Sequence, residues 1–143
     1  MPKPDPALFD TARYPFSCRI EPRFADLDTN LHINNVALTS ILEDARVRFH
    51  AASGYHAAMV DLVSMVASLQ VEYLDQSYYP DQLEIHVAAS RLGRTSYSLN
   101  QLVRQKDRIV AYCEAVMVCV GKSGPAPLPD AFRTGVADWM LRG

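Results

Sequence analysis

Asn34-Asn-Val-Ala-Leu-Thr-Ser-Ile-Leu-Glu-Asp-Ala-Arg-Val-Arg-Phe-His-Ala-Ala52 is the stretch that decides the fold. Leu38, Ile41, Leu42, Ala45, Phe49 and Ala52 recur at spacings of three and four, which places them on one stripe of a helix. Asn34 or Asn35 suits the N-cap, and Gly54 suits the position just past the end. At a rise of 1.5 Å per residue the helix is about 28 Å long, the width of a small domain. Asp44 and Arg48 stand one turn apart on its outer side, spaced to pair.

Beyond Gly54 the period changes to two. Val63, Met65, Ala67, Leu69, Val71 and Tyr73 alternate with polar residues, as do Leu83, Ile85, Val87 and Ala89, and then Tyr97, Leu99 and Val103. Ile109 to Val120 is a long β-rich run. The joints at 75–81, 91–94 and 106–107 are short, which predicts antiparallel neighbours, because parallel pairing needs long crossovers. Upstream, residues 1–14 read as a loose arm and Tyr14 to Pro22 as a first strand. The proline-rich 124–129 segment reads as a rigid spacer before a short terminal helix carrying Trp139. The expectation is an α+β chain: an arm over 1–14, then one domain over 15–143 with a long helix wrapped by a curled antiparallel sheet. One helix on one sheet leaves an edge and part of a face uncovered, so a homodimer is the economical remedy.

Composition narrows the function. The chain has 143 residues, 49% of them hydrophobic, enough for one core, and a net charge of −2 with both signs scattered. No basic stripe supports a nucleic-acid or membrane-surface role. No run is long and apolar enough for a bilayer span, and the N-terminus lacks a signal-peptide core. Cys18, Cys113 and Cys119 are odd in number without metal-ligand spacing. Cys113 and Cys119 fall among apolar residues on one strand face, where cysteine acts as a small hydrophobe. The cytoplasm is the expected compartment.

Polar chemistry concentrates in Arg23-Phe-Ala-Asp-Leu-Asp-Thr-Asn-Leu-His-Ile-Asn-Asn35, immediately before the long helix. A helix N-terminus has backbone N–H groups without intrahelical partners and the positive end of the dipole. It can hold a developing oxyanion, and a carboxylate beside it can act as nucleophile or general base. Asp, Asn and His are also ordinary turn and cap residues, and by pattern alone the two readings stand about even.

The segment resembles the signature of hotdog-fold acyl-CoA thioesterases of the 4-hydroxybenzoyl-CoA thioesterase type, Arg-aromatic-x-Asp-x-Asp-x-x-Gly-His-Val-Asn-Asn-x-x-Tyr with Glu-x-x-Arg further on. Arg23, Phe24, Asp26, Asp28, His32, Asn34, Asn35, Glu43 and Arg46 match it. Tyr73-Leu74 with Asp81, and Gly93 with Ser96, extend the likeness along nearly the whole chain after the arm. Leu31 stands in place of the family's glycine, Leu38 of its tyrosine, Gln76 of a frequent proline, and Pro80 of a glycine.

The resemblance implies a hotdog fold, a dimer or dimer of dimers with interfacial sites, an acyl-CoA or acyl-carrier-protein thioester as substrate, and no metal or other cofactor. It implies Asp28 as nucleophile or general base and the backbone N–H near Asn35 at the thioester carbonyl. His32, Asn34 and Ser96 become candidate substrate contacts. Arg91 and Arg94, flanking Gly93, are turn charges or grips for a CoA phosphate. Glu43 is a secondary catalytic candidate, though an ion pair with Arg46 is its simpler role. Asp26 reads as a loop acceptor able to pair with Arg23, His50 and His56 as surface residues, and His86 as part of a polar strand face. A non-catalytic acyl-CoA-binding or scaffold domain on the same fold is the alternative function.

Overall fold

The computed structural model describes residues 4–143. Helix α1, Asn35–Ala52, lies against a six-stranded antiparallel sheet: β1 (Phe16–Ile20), β2 (Val63–Tyr73), β3 (Leu83–Leu92), β4 (Ser96–Gln105), β5 (Arg108–Gly121) and β6 (Gly124–Pro125). A short helix α2, Tyr55–Ala58, follows α1, and α3, Asp130–Val136, runs into a 3-10 turn that carries Trp139. No described helix is long and apolar enough to cross a membrane.

The order across the sheet is β1-β3-β4-β5-β2, with β6 paired to the end of β5. The expectation of neighbouring strands holds for β3–β4 and β4–β5 and fails for β2–β3. Strand β2 pairs with β5 and β3 with β1, so residues 74–82 cross the open end of the curl. Nine extended residues can reach about 30 Å, enough for that crossing. The short joint reflects the curl of the sheet rather than a hairpin.

Asn34 caps α1 through Oδ1, which accepts from Val36 N at 2.7 Å. Gly54 follows in the left-handed conformation at φ 81°. Of the predicted stripe, Leu38, Ile41, Leu42, Ala45 and Phe49 are buried with Ile85, Val87, Leu99, Val103 and Ala111 of the sheet in one core, whereas Ala52, at the end of the helix, is exposed. Asp44 and Arg48 pair at 2.9 Å as spaced. Cys113 and Cys119 are buried, and burial pushes the Cys113 thiol up to about 11, as expected of core cysteines.

Several expectations about surfaces are corrected. Residues 4–14 are not loose: Leu8, Phe9 and Tyr14 pack with Ala88, Leu102 and Tyr112 on the convex face of the sheet. That cover buries His86, expected on a polar face, with its ring edge-on to Tyr14. Polar residues of β4 are sealed in as well, since Ser98, Asn100, Gln101 and Gln105 are all buried. His50 is buried, its Nε2 2.9 Å from Tyr97 Oη, because α1 ends over the sheet and not beyond it; His56 is exposed as expected. Strand β2 departs the other way. Val63, Met65, Val66, Leu69 and Tyr73 are exposed along a free edge.

Candidate functional site

The turn before α1 is held by its own backbone. Asp28 N donates to His32 O at 2.9 Å, Leu31 N to Asp28 O at 3.1 Å, and Asn34 N to Asp26 O at 2.8 Å. Leu31, in the family's glycine position, sits at φ 62°, a left-handed conformation costly for a residue with a Cβ. Its side chain is exposed, so no burial in this chain offsets that cost.

The two aspartates of the turn have different surroundings. Asp26 is buried and accepts from Arg23 N at 2.7 Å and Arg23 Nη2 at 2.9 Å. Burial alone would raise its pKa, but the Arg23 N–H and guanidinium outweigh that and hold it below the usual carboxylate value. Asp28 is half-buried. Its Oδ1 accepts from Asn30 N at 2.8 Å and His32 N at 3.1 Å, while Oδ2 has no hydrogen-bond partner among the described residues.

Asp28 lines a cavity of about 520 Å³ between the turn and the start of the crossing, with Ile33, Asn35, Leu38, Tyr73 and Asp75 among its walls. Asn35 is the first residue of α1, so its N–H has no acceptor within the helix. Its carbonyl accepts from Thr39 Oγ1 at 3.0 Å and from Tyr73 Oη at 3.3 Å, which ties the helix start to the end of β2. The opposite wall is fixed by Arg108, whose Nη1 donates to Asp75 Oδ2 at 2.8 Å and Gln76 O at 3.0 Å. That ion pair and the adjoining N–H groups hold the Asp75 pKa below its ordinary value.

The other candidates divide. Asn34 serves as the helix cap, and His32 lies edge-on to Tyr78, 5.3 Å between centroids. Arg91, Arg94 and Ser96 are not brought to the cavity in this chain. Ser96 pairs with Val118, while the cavity residue Tyr73 pairs with Ala111; seven residues of β5 separate them, about 23 Å. Arg91 pairs with Glu114 at 3.1 Å. Glu43 is exposed on α1, and the expected Glu43–Arg46 ion pair is absent among the described residues. Arg46 instead turns inward and donates to Gln101 Oε1 at 2.9 Å, because the sheet offers a fixed neutral acceptor where the helix surface offers only a solvated carboxylate. Gln101 was not singled out by the sequence, and its place in the strand alternation was the only signal it carried. Tyr73 was named as a strand residue and as part of the likeness to the thioesterase signature, but not as a wall of the site.

Comparison with known proteins places this geometry. Residues 22–136 match the family model described as the thioesterase-like superfamily. The chain belongs to that superfamily. It is 30% identical over 115 residues to the uncharacterized protein YsmA of Bacillus subtilis (strain 168), covering 79% of this chain and 78% of YsmA. Among solved structures it resembles a thioesterase from Thermus thermophilus complexed with coenzyme A and Zn, at 30% identity and TM-score 0.77, covering 87% of this chain and 92% of that one. It also resembles the PA5185 protein of Pseudomonas aeruginosa, at 21% identity and TM-score 0.81, covering 92% and 95%. The long helix wrapped by a curled antiparallel sheet is the hotdog fold, as in the superfamily's thioesterases.

Proposed function

We propose that this chain hydrolyses an acyl-CoA thioester to the free acid and CoA, with Asp28 as the attacking or activating carboxylate. One observation carries the reading: Asp28 has one oxygen anchored by two backbone N–H groups and the other unbonded among the described residues, in a cavity it shares with the first residue of a helix. Anchoring fixes the carboxylate before substrate arrives, and the free oxygen is the one able to react. The Asn35 N–H at the helix start is the donor for the carbonyl oxygen as it gains charge.

Two routes suit this arrangement. In one, Asp28 attacks the carbonyl carbon, the C–S bond breaks, CoA thiolate leaves, and water opens the mixed anhydride. In the other, Asp28 takes a proton from a water that attacks in its place. A CoA ester, as opposed to a carrier-protein ester, is supported by the coenzyme A bound to the Thermus thermophilus relative.

The working form in this reading is a homodimer joined along the free edge of β2, where Val63, Met65, Leu69 and Tyr73 are exposed. Antiparallel pairing of two such edges sets the Val63 end of one copy beside the Tyr73 end of the other. Arg91, Arg94 and Ser96 lie toward the Val63 end, since β4 and β2 both pair there with the end of β5. They then approach the Asp28 cavity from the second copy. His32 remains a wall of the same loop.

The test is Asp28→Asn, which keeps size and most hydrogen bonds but removes charge and basicity. Turnover of a good acyl-CoA substrate falls by about a hundredfold or more, while circular dichroism and acyl-CoA binding are retained. Near-normal turnover in the folded variant refutes the assignment and turns attention to Glu43. Binding without hydrolysis in the wild type, over a broad acyl-CoA panel, makes this a binding domain instead.

A further inference from the structure

We infer that Arg46 is the receptor for a carboxylate at the far end of the acyl group, so that the preferred substrate is the CoA thioester of a dicarboxylic acid. This rests on the thioesterase reading above and specifies its substrate. Arg46 is 4% exposed. Its Nη1 donates to Gln101 Oε1, and Gln101, fully buried, is oriented by its own donation to Leu42 O at 2.9 Å. Among the described residues no carboxylate oxygen comes within 4.0 Å of the guanidinium. The charge of Glu43 reaches Arg46 only across space, without a hydrogen bond, and a buried cation whose one described hydrogen-bond acceptor is a neutral amide is costly and favours a directly bonded anion. Burial accordingly pulls the Arg46 pKa down.

The space for that anion is present. Arg46 lines a second cavity of about 540 Å³ with Val36, Thr39, Ser40, Glu43, Val66 and Leu69, between α1 and the free edge of β2. The two cavities adjoin at Thr39 and Tyr73, whose hydroxyls stand 3.5 Å apart as the wall between them, and an acyl group running from one to the other parts that contact. Since Gln101 grips both Arg46 and Leu42 O, the guanidinium stands near the level of Leu42. That level is seven residues, about 10 Å, along the helix from Asn35. An acyl group with its carbonyl at Asn35 that runs down this groove passes Val36, Val66 and Leu69 with its methylenes and ends at Arg46. Glu43 stands exposed at the rim of the same cavity, and its negative charge disfavours a dianion such as a phosphate more than a single carboxylate.

The experiment compares wild-type kcat/KM for adipyl-, suberyl- and sebacyl-CoA with that for hexanoyl-, octanoyl- and decanoyl-CoA, then repeats the ratio in Arg46→Gln and Arg46→Lys. The carboxylate-ended esters are expected to be preferred by about tenfold to a hundredfold, the range of a charge-assisted hydrogen bond. The ratio falls toward one in Arg46→Gln and partway in Arg46→Lys, which keeps the charge but not the planar fork. A partly unfolded variant loses both substrate classes alike, so the ratio still reports on recognition. No wild-type preference, or a preference unchanged in Arg46→Gln, overturns the proposal. Dissociation of the oligomer in Arg46→Gln with an unchanged ratio also overturns it and assigns the counter-ion to a second copy. Should the wild type hydrolyse no thioester, titration calorimetry with adipate and with hexanoate, on wild type and Arg46→Gln, tests the receptor alone. Adipate binding only in the wild type supports it, and no binding overturns it.

Discussion

Stability should fall as the pH is lowered from 6.5 to 4.5, and His50 should be the reason. Its ring is buried, stacked on Tyr55 at 4.2 Å between centroids and 2.9 Å from Tyr97 Oη through Nε2. Tyr97 donates its single hydroxyl proton to Ser64 Oγ at 2.7 Å, so Nε2–H is the donor in the His50 contact. The proton that would charge the ring must therefore go to Nδ1, for which no acceptor is present among the described residues. Burial first, then the positive charges of Arg46 and His56, lower the His50 pKa from 6.5 to about 4. A depressed histidine pKa means that the unfolded chain binds more protons between these two values, so stability rises with pH across that window and is lost as pH falls. Two pH units at up to about 1.4 kcal/mol each give a loss of about 2 to 3 kcal/mol by pH 4.5. The measurement is urea unfolding of wild type and His50→Gln at half-unit steps from pH 7.5 to 4.5. The wild type should lose midpoint over that span, and the variant, without the buried ring, should lose clearly less. Equal slopes in the two proteins refute the reasoning. Of the carboxylates held low by partners, Asp26 and Asp75 titrate below the window, and Glu84, held low by His86 and Arg104, acts alike in both proteins and cancels in the comparison.

Leu31→Gly should raise the melting temperature by a few degrees, because relief of the left-handed backbone, about 1 to 2 kcal/mol, exceeds the added chain entropy of glycine, about 0.5 to 1 kcal/mol; a lower melting temperature by calorimetry refutes it. Met65→Lys, placed on the exposed edge of β2, should shift the protein toward monomer in sedimentation at micromolar concentration and raise KM for acyl-CoA, since Arg91 and Arg94 then no longer reach the cavity. A wild type that sediments as a stable monomer there removes the interfacial reading altogether.

What the sequence made legible was whatever depends on local period. The stripe of α1 and the alternation of β3 and β5 follow from side-chain direction alone, and the Asn34 cap from one side chain and one N–H. Less legible were features set by residues far apart. The position of β2 beside β5 depends on how the sheet curls, which a joint length cannot report. His50 occupies a position any surface histidine might, and only Tyr97, forty-seven residues on, makes it interior. Arg46 reads from spacing as a partner for Glu43; Gln101, fifty-five residues away, draws it inward. In the candidate site the turn, its acids and the helix start were visible as a string. The cavity was not, because its second wall at 73–77 comes from the far end of a strand.

The buried polar residues of β4 give these separate walls a common frame. Gln105, 1% exposed, accepts from Tyr78 N at 2.8 Å and donates to Tyr78 O at 2.7 Å and Asp81 O at 3.0 Å. The crossing is thereby clamped to the middle of the sheet. From there Ser77 O accepts from Ile33 N at 3.0 Å, which ties the crossing to the turn that carries Asp28. Gln101, two positions of alternation earlier, grips Leu42 O and so fixes α1 to the same strand. A leucine at either position would bury more apolar surface, but it would strip Tyr78 N–H or Arg46 Nη1 of its acceptor. It would also leave the crossing and the helix to find their positions by nonspecific packing, which tolerates shifts that a hydrogen-bonded amide does not. Reactive groups must be held to within about half an ångström to be effective. Two satisfied glutamines in the core strand are therefore understandable as positional devices, one for each wall of the cavity.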